Sequence, residues 1–271
     1  MPPATEPANA AGTPPSWDPT QYLRFADARL RPALDLLAQV NLSAPAQVVD
    51  LGCGPGTVTR VLKARFPGAS VLGIDGSAEM LAKARTTAPE CSFWEADFAT
   101  WTPDAPPDLI YSNAALHWTG GHDRLLPRLL GLLAPGGVLA VQMPAMHAAP
   151  LRRLQVEVAA SGPWAARLRD ASGTARDILT AGEYWDILRP HADSLEIWET
   201  TYLHPLTGED PVVEWASGTS LRPFLTRLPE EQRPAFRAAY AAALRPHYPR
   251  RADGTTLLPF RRLFLLAHRM G

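Results

Sequence analysis

Lysine is nearly missing from this chain. Of 271 residues 26 are basic, yet only Lys63 and Lys83 are lysines and the other 24 are arginines. Against 27 acids the formal net charge is −1. A protein that holds nucleic acid by bulk charge needs a large basic surplus, so that class is excluded. Cysteine is scarce as well. Cys53 and Cys91 are too few for a disulfide scaffold and too far apart for a C-x-x-C metal pair. Two thiols fit a reducing compartment, and a cytoplasmic location is expected. No run approaches the ~18 consecutive apolar residues of a membrane span, so no membrane partner is expected. Residues Met1–Ser16 hold five prolines and four alanines but no basic residue and no apolar run. They read as a disordered tail rather than a secretory signal.

Other chemistry is missing too. His117, His122, His147, His191, His204, His247 and His268 are scattered without an H-x-x-x-H pair, so no metal site is expected. Ser77 and Ser112 lack the G-x-S-x-G context of a hydrolase nucleophile. No internal repeat is present.

What is present is enough apolar residue, 46%, to build a core. The charges are also split. Residues 1–150 carry 10 cations and 13 acids; residues 151–271 carry 16 arginines and 14 acids. The first half alternates short apolar runs with amphipathic ones. Strands are predicted at Gln47–Leu51, Ser70–Asp75, Cys91–Ala96, Asp108–Ser112 and Val138–Met143. Helices are predicted at Thr57–Arg65, Ala78–Thr86 and Arg124–Leu133, after a first helix ending near Val40 whose N-cap is Asp18 with Pro19 behind it. Such alternation implies parallel strands joined by right-handed crossovers. Beyond Pro144 the pattern changes. Leu151–Ala160, Glu183–Leu188, Pro211–Leu228 and Pro229–His247 read as helical, and Leu195–Leu203 and Leu257–His268 as strands. The stretch 205–256 is too long for a hairpin loop and reads as a helical insertion over the strand ends. The expected fold is α/β, a Rossmann-like sheet, mostly parallel with an antiparallel last strand. Residues 17–204 and 257–271 form its main domain.

One motif carries chemistry. Val48-Val49-Asp50-Leu51-Gly52-Cys53-Gly54-Pro55-Gly56 runs from a strand through a glycine turn into a helix. Glycines let a ligand approach the backbone, and the helix N-terminus offers free N–H groups. Asp75, 19 residues after Gly56, ends the next strand and can accept both hydroxyls of a ribose. The glycines fall at 52, 54 and 56, which departs from the dinucleotide spacing G-x-G-x-x-G. Asp50 would repel a pyrophosphate but could hold an ammonium. Asp97 can accept from an adenine amino group, with Phe98 lending an apolar face. The set suits S-adenosylmethionine better than NAD.

These blocks resemble the class I methyltransferases. With Trp17-Asp18-Pro19, Tyr22, Gly73-Ile74-Asp75, the segment Asn113–Trp118, Gln142-Met143-Pro144 and Ser217–Pro223, the chain is similar to the trans-aconitate methyltransferase family from about Trp17 onward. Arg261 departs from the pattern, which has a proline before Arg262. The resemblance implies methyl transfer from S-adenosylmethionine to a carboxylate of a small polycarboxylate. It places Trp17, Asp50, Gly52, Cys53, Gly54, Gly56, Asp75, Gly76, Ser77, Met80, Asp97, Phe98, Asn113, Ala114 and Leu116 around the cofactor. A monomer or weak homo-oligomer is expected. An ionised carboxylate needs no general base, only alignment and clamped partner charges. Arg222 is the first candidate clamp, His117 a candidate donor, and Tyr22, Trp118, Tyr184, Tyr240 and Arg262 are further candidates for the acceptor pocket. Methyl transfer to an oxygen or carbon of another small molecule is the alternative, ahead of an NAD-type oxidoreductase.

Overall fold

The structure is a computed structural model and describes residues 30–169, 171, 178–218 and 220–271. In chain order the elements are α1 (Arg31–Gln39), β1 (Gln47–Leu51), α2 (Thr57–Arg65), β2 (Ser70–Asp75), α3 (Ala78–Thr87), β3 (Ser92–Glu95), β4 (Leu109–Asn113) and α4 (His122–Leu132). They continue with β5 (Val138–Pro144), α5 (Pro150–Ser161), α6 (Ala165–Leu168), α7 (Ala181–Leu188), β6 (Ala192–Leu206), α8 (Pro211–Ser217), α9 (Arg222–Arg227), α10 (Arg233–Leu244) and β7 (Thr256–Arg269).

The seven strands lie in the order β3-β2-β1-β4-β5-β7-β6. β1 to β5 are parallel, and β7 runs antiparallel between β5 and β6. The order reverses between β1 and β4, and ligands of open α/β sheets bind in the crevice at that switch point. The central strands are buried on both faces, which is why they read as continuous apolar runs.

The two faces of the sheet feed separate cores. Val48, Leu109, Tyr111, Val138, Ala140, Phe264 and Leu266 pack with α1 and α2. Val49, Leu51, Ile110, Leu139, Val141, Met143, Leu263 and Leu265 pack with α4 and α7. Because strand side chains alternate, the polar residues two positions beyond the first set belong to that same face. These are Asp50, Asn113 and Gln142 at the C-terminal ends of β1, β4 and β5, and Arg262 on β7, which enters from that end.

The connection from β6 to β7 carries α8, α9 and α10. The stretch predicted as one helix, 211–228, is broken at Gly218 and resumes at Arg222. Its apolar residues build a third core with 146–171. Phe236, Tyr240 and Leu244 of α10 pack with Leu151, Leu154 and Val158 of α5, and Trp164 meets Phe236 edge-on at 5.1 Å. Strands β6 and β7 stay paired up to Leu206 and Thr256, so this helical layer stands on a long hairpin. Arg261 does not interrupt β7. Its backbone and guanidinium engage Ala145, and it reaches Glu199 on β6 at 3.4 Å. Among the described residues no helix is long and apolar enough to cross a membrane.

Candidate active site

The turn after β1 is built from backbone. Gly52, Gly54 and Gly56 have φ of 79°, 52° and 82°, in the left-handed region that L side chains avoid. Gly52 is also pressed by the loop after β4, where an added Cβ would sit 2.1 Å from that of Ala115, with the Phe98 ring near. At Gly54 an added Cβ would meet nothing within 4 Å, so that side of the turn is open to a ligand. Asp75 is oriented by two backbone donors, Gly54 N–H at 2.8 Å and Ser77 N–H at 2.9 Å. Each carboxylate oxygen keeps capacity for a further donor, as a ribose diol requires. Ser77 then caps α3 by accepting from Met80 N–H, with the exposed Gly76 between the two side chains. Asp97 is exposed in a turn closed by Ala99 N–H.

Asp50 and Cys53, both predicted cofactor residues, are buried. Asp50 is 1% exposed, and its carboxylate accepts from the Thr59 hydroxyl at 2.6 Å. Burial pushes it up to about 7, with Asp75 adding to the rise. A cation placed beside it would favour the ionised form. Cys53 is buried with its thiol against the Gly54 carbonyl, and burial raises its pKa well above that of an ordinary thiol. It fills the turn and is no nucleophile. Trp17 and Tyr22 lie outside the described residues.

The far side of the site is built from side chains. Asn113 ends β4, and Ala114 bends the chain at φ 53° while its N–H donates to the Gln142 carbonyl at 2.9 Å. Leu116, His117 and Trp118 form a 3-10 turn. His117, the candidate donor, is half-buried. Burial first, and then the positive charges of Arg262 and Arg152, push it down to about 4, so it is a neutral imidazole at physiological pH. Trp118 is 60% exposed and leans on the His117 ring at 4.6 Å. Arg262 is 7% exposed with its guanidinium 4.4 Å from the centre of the Phe260 ring. Asn113 Oδ1, His117 Nδ1 and both amide atoms of Gln142 are buried without a hydrogen-bond partner. Unmet buried polar atoms are rare; Trp101 Nε1 and Gln232 Oε1 are two others, but Asn113 and Gln142 are register partners at the strand ends, where a ligand would meet them.

Three candidates from the sequence fall elsewhere. Tyr184 is fully buried in the core under α4, since α7 turns that face inward. Its hydroxyl accepts from Leu179 N–H and donates to His122 Nδ1 at 2.6 Å, and His122 Nε2–H donates to the Leu116 carbonyl at 3.0 Å. Among the described residues this relay links it to the Leu116 carbonyl. Tyr240 is also fully buried, its hydroxyl donating to the Leu151 carbonyl at 2.6 Å, and it ties α10 to α5 beside Arg152. Arg222 is exposed at the first turn of α9, a helix of six residues. Gln142 and Arg152 were missed among the candidates. A glutamine within Leu139-Ala140-Val141-Gln142-Met143 was a visible signal; nothing sets Arg152 apart from its neighbour Arg153. Among the described residues no three His, Cys, Asp or Glu side chains converge as metal ligands would.

The residues fit an adenosylmethionine-like ligand: the turn is open at Gly54, Asp75 is aimed, and acid at β1 gives way to amides and then to arginine at β7. Known proteins agree with that reading. A methyltransferase-domain profile matches residues 48–137. The trans-aconitate 2-methyltransferase of Paracidovorax citrulli is 51% identical over 93% of this chain and 98% of its own. That of Methylobacterium nodulans is 52% identical with the same coverage. In fold, the chain is similar to phosphoethanolamine N-methyltransferase 2 of Haemonchus contortus, solved with S-adenosylhomocysteine. The TM-score is 0.56 and the identity 15%, over 89% of this chain and 53% of that one. Fold, glycine turn and full-length likeness together place the chain in the trans-aconitate 2-methyltransferase family of class I, S-adenosylmethionine-dependent methyltransferases.

Proposed function

We propose that this enzyme transfers the methyl group of S-adenosylmethionine to a carboxylate of trans-aconitate, giving a monomethyl ester and S-adenosylhomocysteine. The observation that carries the reading is the gradient along one face of the strand ends, from Asp50 through Asn113 and Gln142 to Arg262. The acidic end suits a cation and the basic end an anion.

When bound, S-adenosylmethionine supplies an electrophilic methyl group on sulfur. The chain does the rest by placement. The Gly52–Gly56 turn and Asp75 hold the nucleoside and amino-acid parts, and Asp97 and Phe98 take the adenine edge. Asn113 to Leu116 wall the methyl side. Arg262, with Arg152 from α5, clamps the carboxylates that do not react, and neutral His117 donates one further hydrogen bond. No group has to remove a proton, because a carboxylate is already ionised. Alignment and exclusion of water supply the rate.

The test is direct. The full chain is incubated with S-adenosylmethionine and trans-aconitate, cis-aconitate, citrate or a neutral diester, and products are read by mass spectrometry. A monomethyl ester is expected, most rapidly from trans-aconitate. No ester from any polycarboxylate would overturn the reading.

A further inference from the structure

Gln142 is 0% exposed, and neither its Nε2 nor its Oε1 finds a hydrogen-bond partner. Its position explains why this matters. In the sheet it is flanked by Asn113 of β4 and Phe264 of β7, and Arg262 faces Pro144 two residues further along β5. Its own carbonyl holds Ala114 N–H, which fixes the bend of the methyl-side wall. The Gln142 amide thus stands between the residues assigned to the methyl donor and the arginine assigned to the acceptor. A leucine or methionine would fill the same volume in a strand that is otherwise apolar, and would leave nothing unmet. A glutamine here asks for a ligand that brings hydrogen-bonding atoms.

We infer that the Gln142 amide binds the reacting carboxylate of the acceptor, Nε2–H donating to the oxygen that does not attack. This rests on the proposed carboxyl methylation. The other oxygen then faces the methyl group. It forms the new O–CH3 bond as the S–CH3 bond breaks, the electron pair leaving on sulfur, and no proton moves. The choice of an amide over a cation follows from the chemistry. A guanidinium fork would occupy both oxygens and draw charge from the nucleophile. A neutral donor fixes the plane of the carboxylate and leaves the attacking oxygen its charge. The arginines are thereby reserved for the carboxylates that must not react, and Gln142 selects which one does.

The test uses Gln142→Met and Gln142→Glu in the full chain. Binding of S-adenosylhomocysteine by calorimetry reports the fold and the donor side. Binding of trans-aconitate to that complex, and kcat/KM, report the acceptor side. Gln142→Met should bind S-adenosylhomocysteine within about 2-fold of wild type and lose on the order of 10- to 100-fold in kcat/KM for trans-aconitate. Gln142→Glu keeps the shape but adds a charge that repels the acceptor. Its activity should be poorest at pH 8 and recover toward pH 5.5, where a protonated glutamic acid can donate, and wild type should show no such rise. Trans-aconitate binding and turnover by Gln142→Met within 2-fold of wild type would overturn the assignment, as would parallel pH profiles. Loss of S-adenosylhomocysteine binding in both variants would do the same, because it would make the residue structural. Wild-type protein that esterifies no polycarboxylate would remove the functional reading itself, and the assignment with it.

Discussion

The two halves of the site are made by different means. The proposed donor side is built from backbone: three glycines at positive φ, two N–H groups aimed at Asp75, and a loop-to-loop contact between Gly52 and Ala115. The proposed acceptor side is built from side chains gathered from distant segments, His117, Gln142, Arg152 and Arg262, of which Arg152 belongs to the helical layer that also receives 207–255. A backbone cradle has to be written into consecutive residues. A ring of side chains can be assembled from anywhere the fold reaches. The donor side is therefore the harder to alter, and the acceptor side the easier to retune.

The largest effect is expected where the comparison is most rigid. Gly52→Val forces a branched side chain into φ 79° and into the Ala115 methyl group. It should weaken S-adenosylhomocysteine binding by more than about 100-fold, read by calorimetry, because neither strain nor clash can be relieved without moving both loops. Binding kept within tenfold would show that the loops are not a rigid cradle. Next comes the acceptor clamp. Arg262→Met keeps the packing on Phe260 and removes the fork, so KM for trans-aconitate should rise roughly 10- to 100-fold while S-adenosylhomocysteine affinity stays unchanged. If both affinities fall together, the two halves are not separate.

The same contrast explains what could be read in the sequence. The sheet, its order-determining alternation and the glycine turn were legible because each rests on local pattern: β1 to β5 fall within a residue or two of expectation. The place of Asp75, ending β2 against the glycine turn, was legible from the spacing of the two strands. The acceptor side was not. Tyr184 and Tyr240 carry the hydroxyls a pocket would want, but whether a tyrosine on an amphipathic helix faces a cleft or a core depends on what packs against it, and both turn out to anchor helices. Arg152 became visible only because α5 shares a core with α10, a contact between residues about 80 positions apart. Gln142 was within reach, since a glutamine in an apolar strand is itself the anomaly.

Asp50 offers a test of how the donor side treats charge. Its carboxyl has been pushed from 3.8 to about 7 by burial, so between those values the folded protein holds a proton that the unfolded chain does not. The sign follows: whatever Asp50 adds to stability is present at low pH and is lost as pH rises through 7. A ligand ammonium nearby reverses the bias and drives the proton off. S-adenosylhomocysteine affinity should then fall as pH drops below 7, by up to about 10-fold per unit. Calorimetry at pH 6.5 in two buffers of different ionisation enthalpy should show a proton released on binding, and Asp50→Asn should show none. Proton release that persists in Asp50→Asn would place the titrating group elsewhere.

The smallest effect separates the arginines. Arg222 stands at the start of a short helix with its side chain in solvent, where a charge is screened and a fork costs entropy to order. Arg262 is held in a buried setting beside His117. Arg222→Ala should raise the KM for trans-aconitate by no more than about 5-fold, well short of Arg262→Met, with kcat unchanged. The comparison has a definite failure. If Arg222→Ala equals or exceeds Arg262→Met, the exposed arginine must reach a bound acceptor. The layer carrying α9 would then have to move toward the strand ends during turnover, making the acceptor side a closing lid rather than a fixed wall.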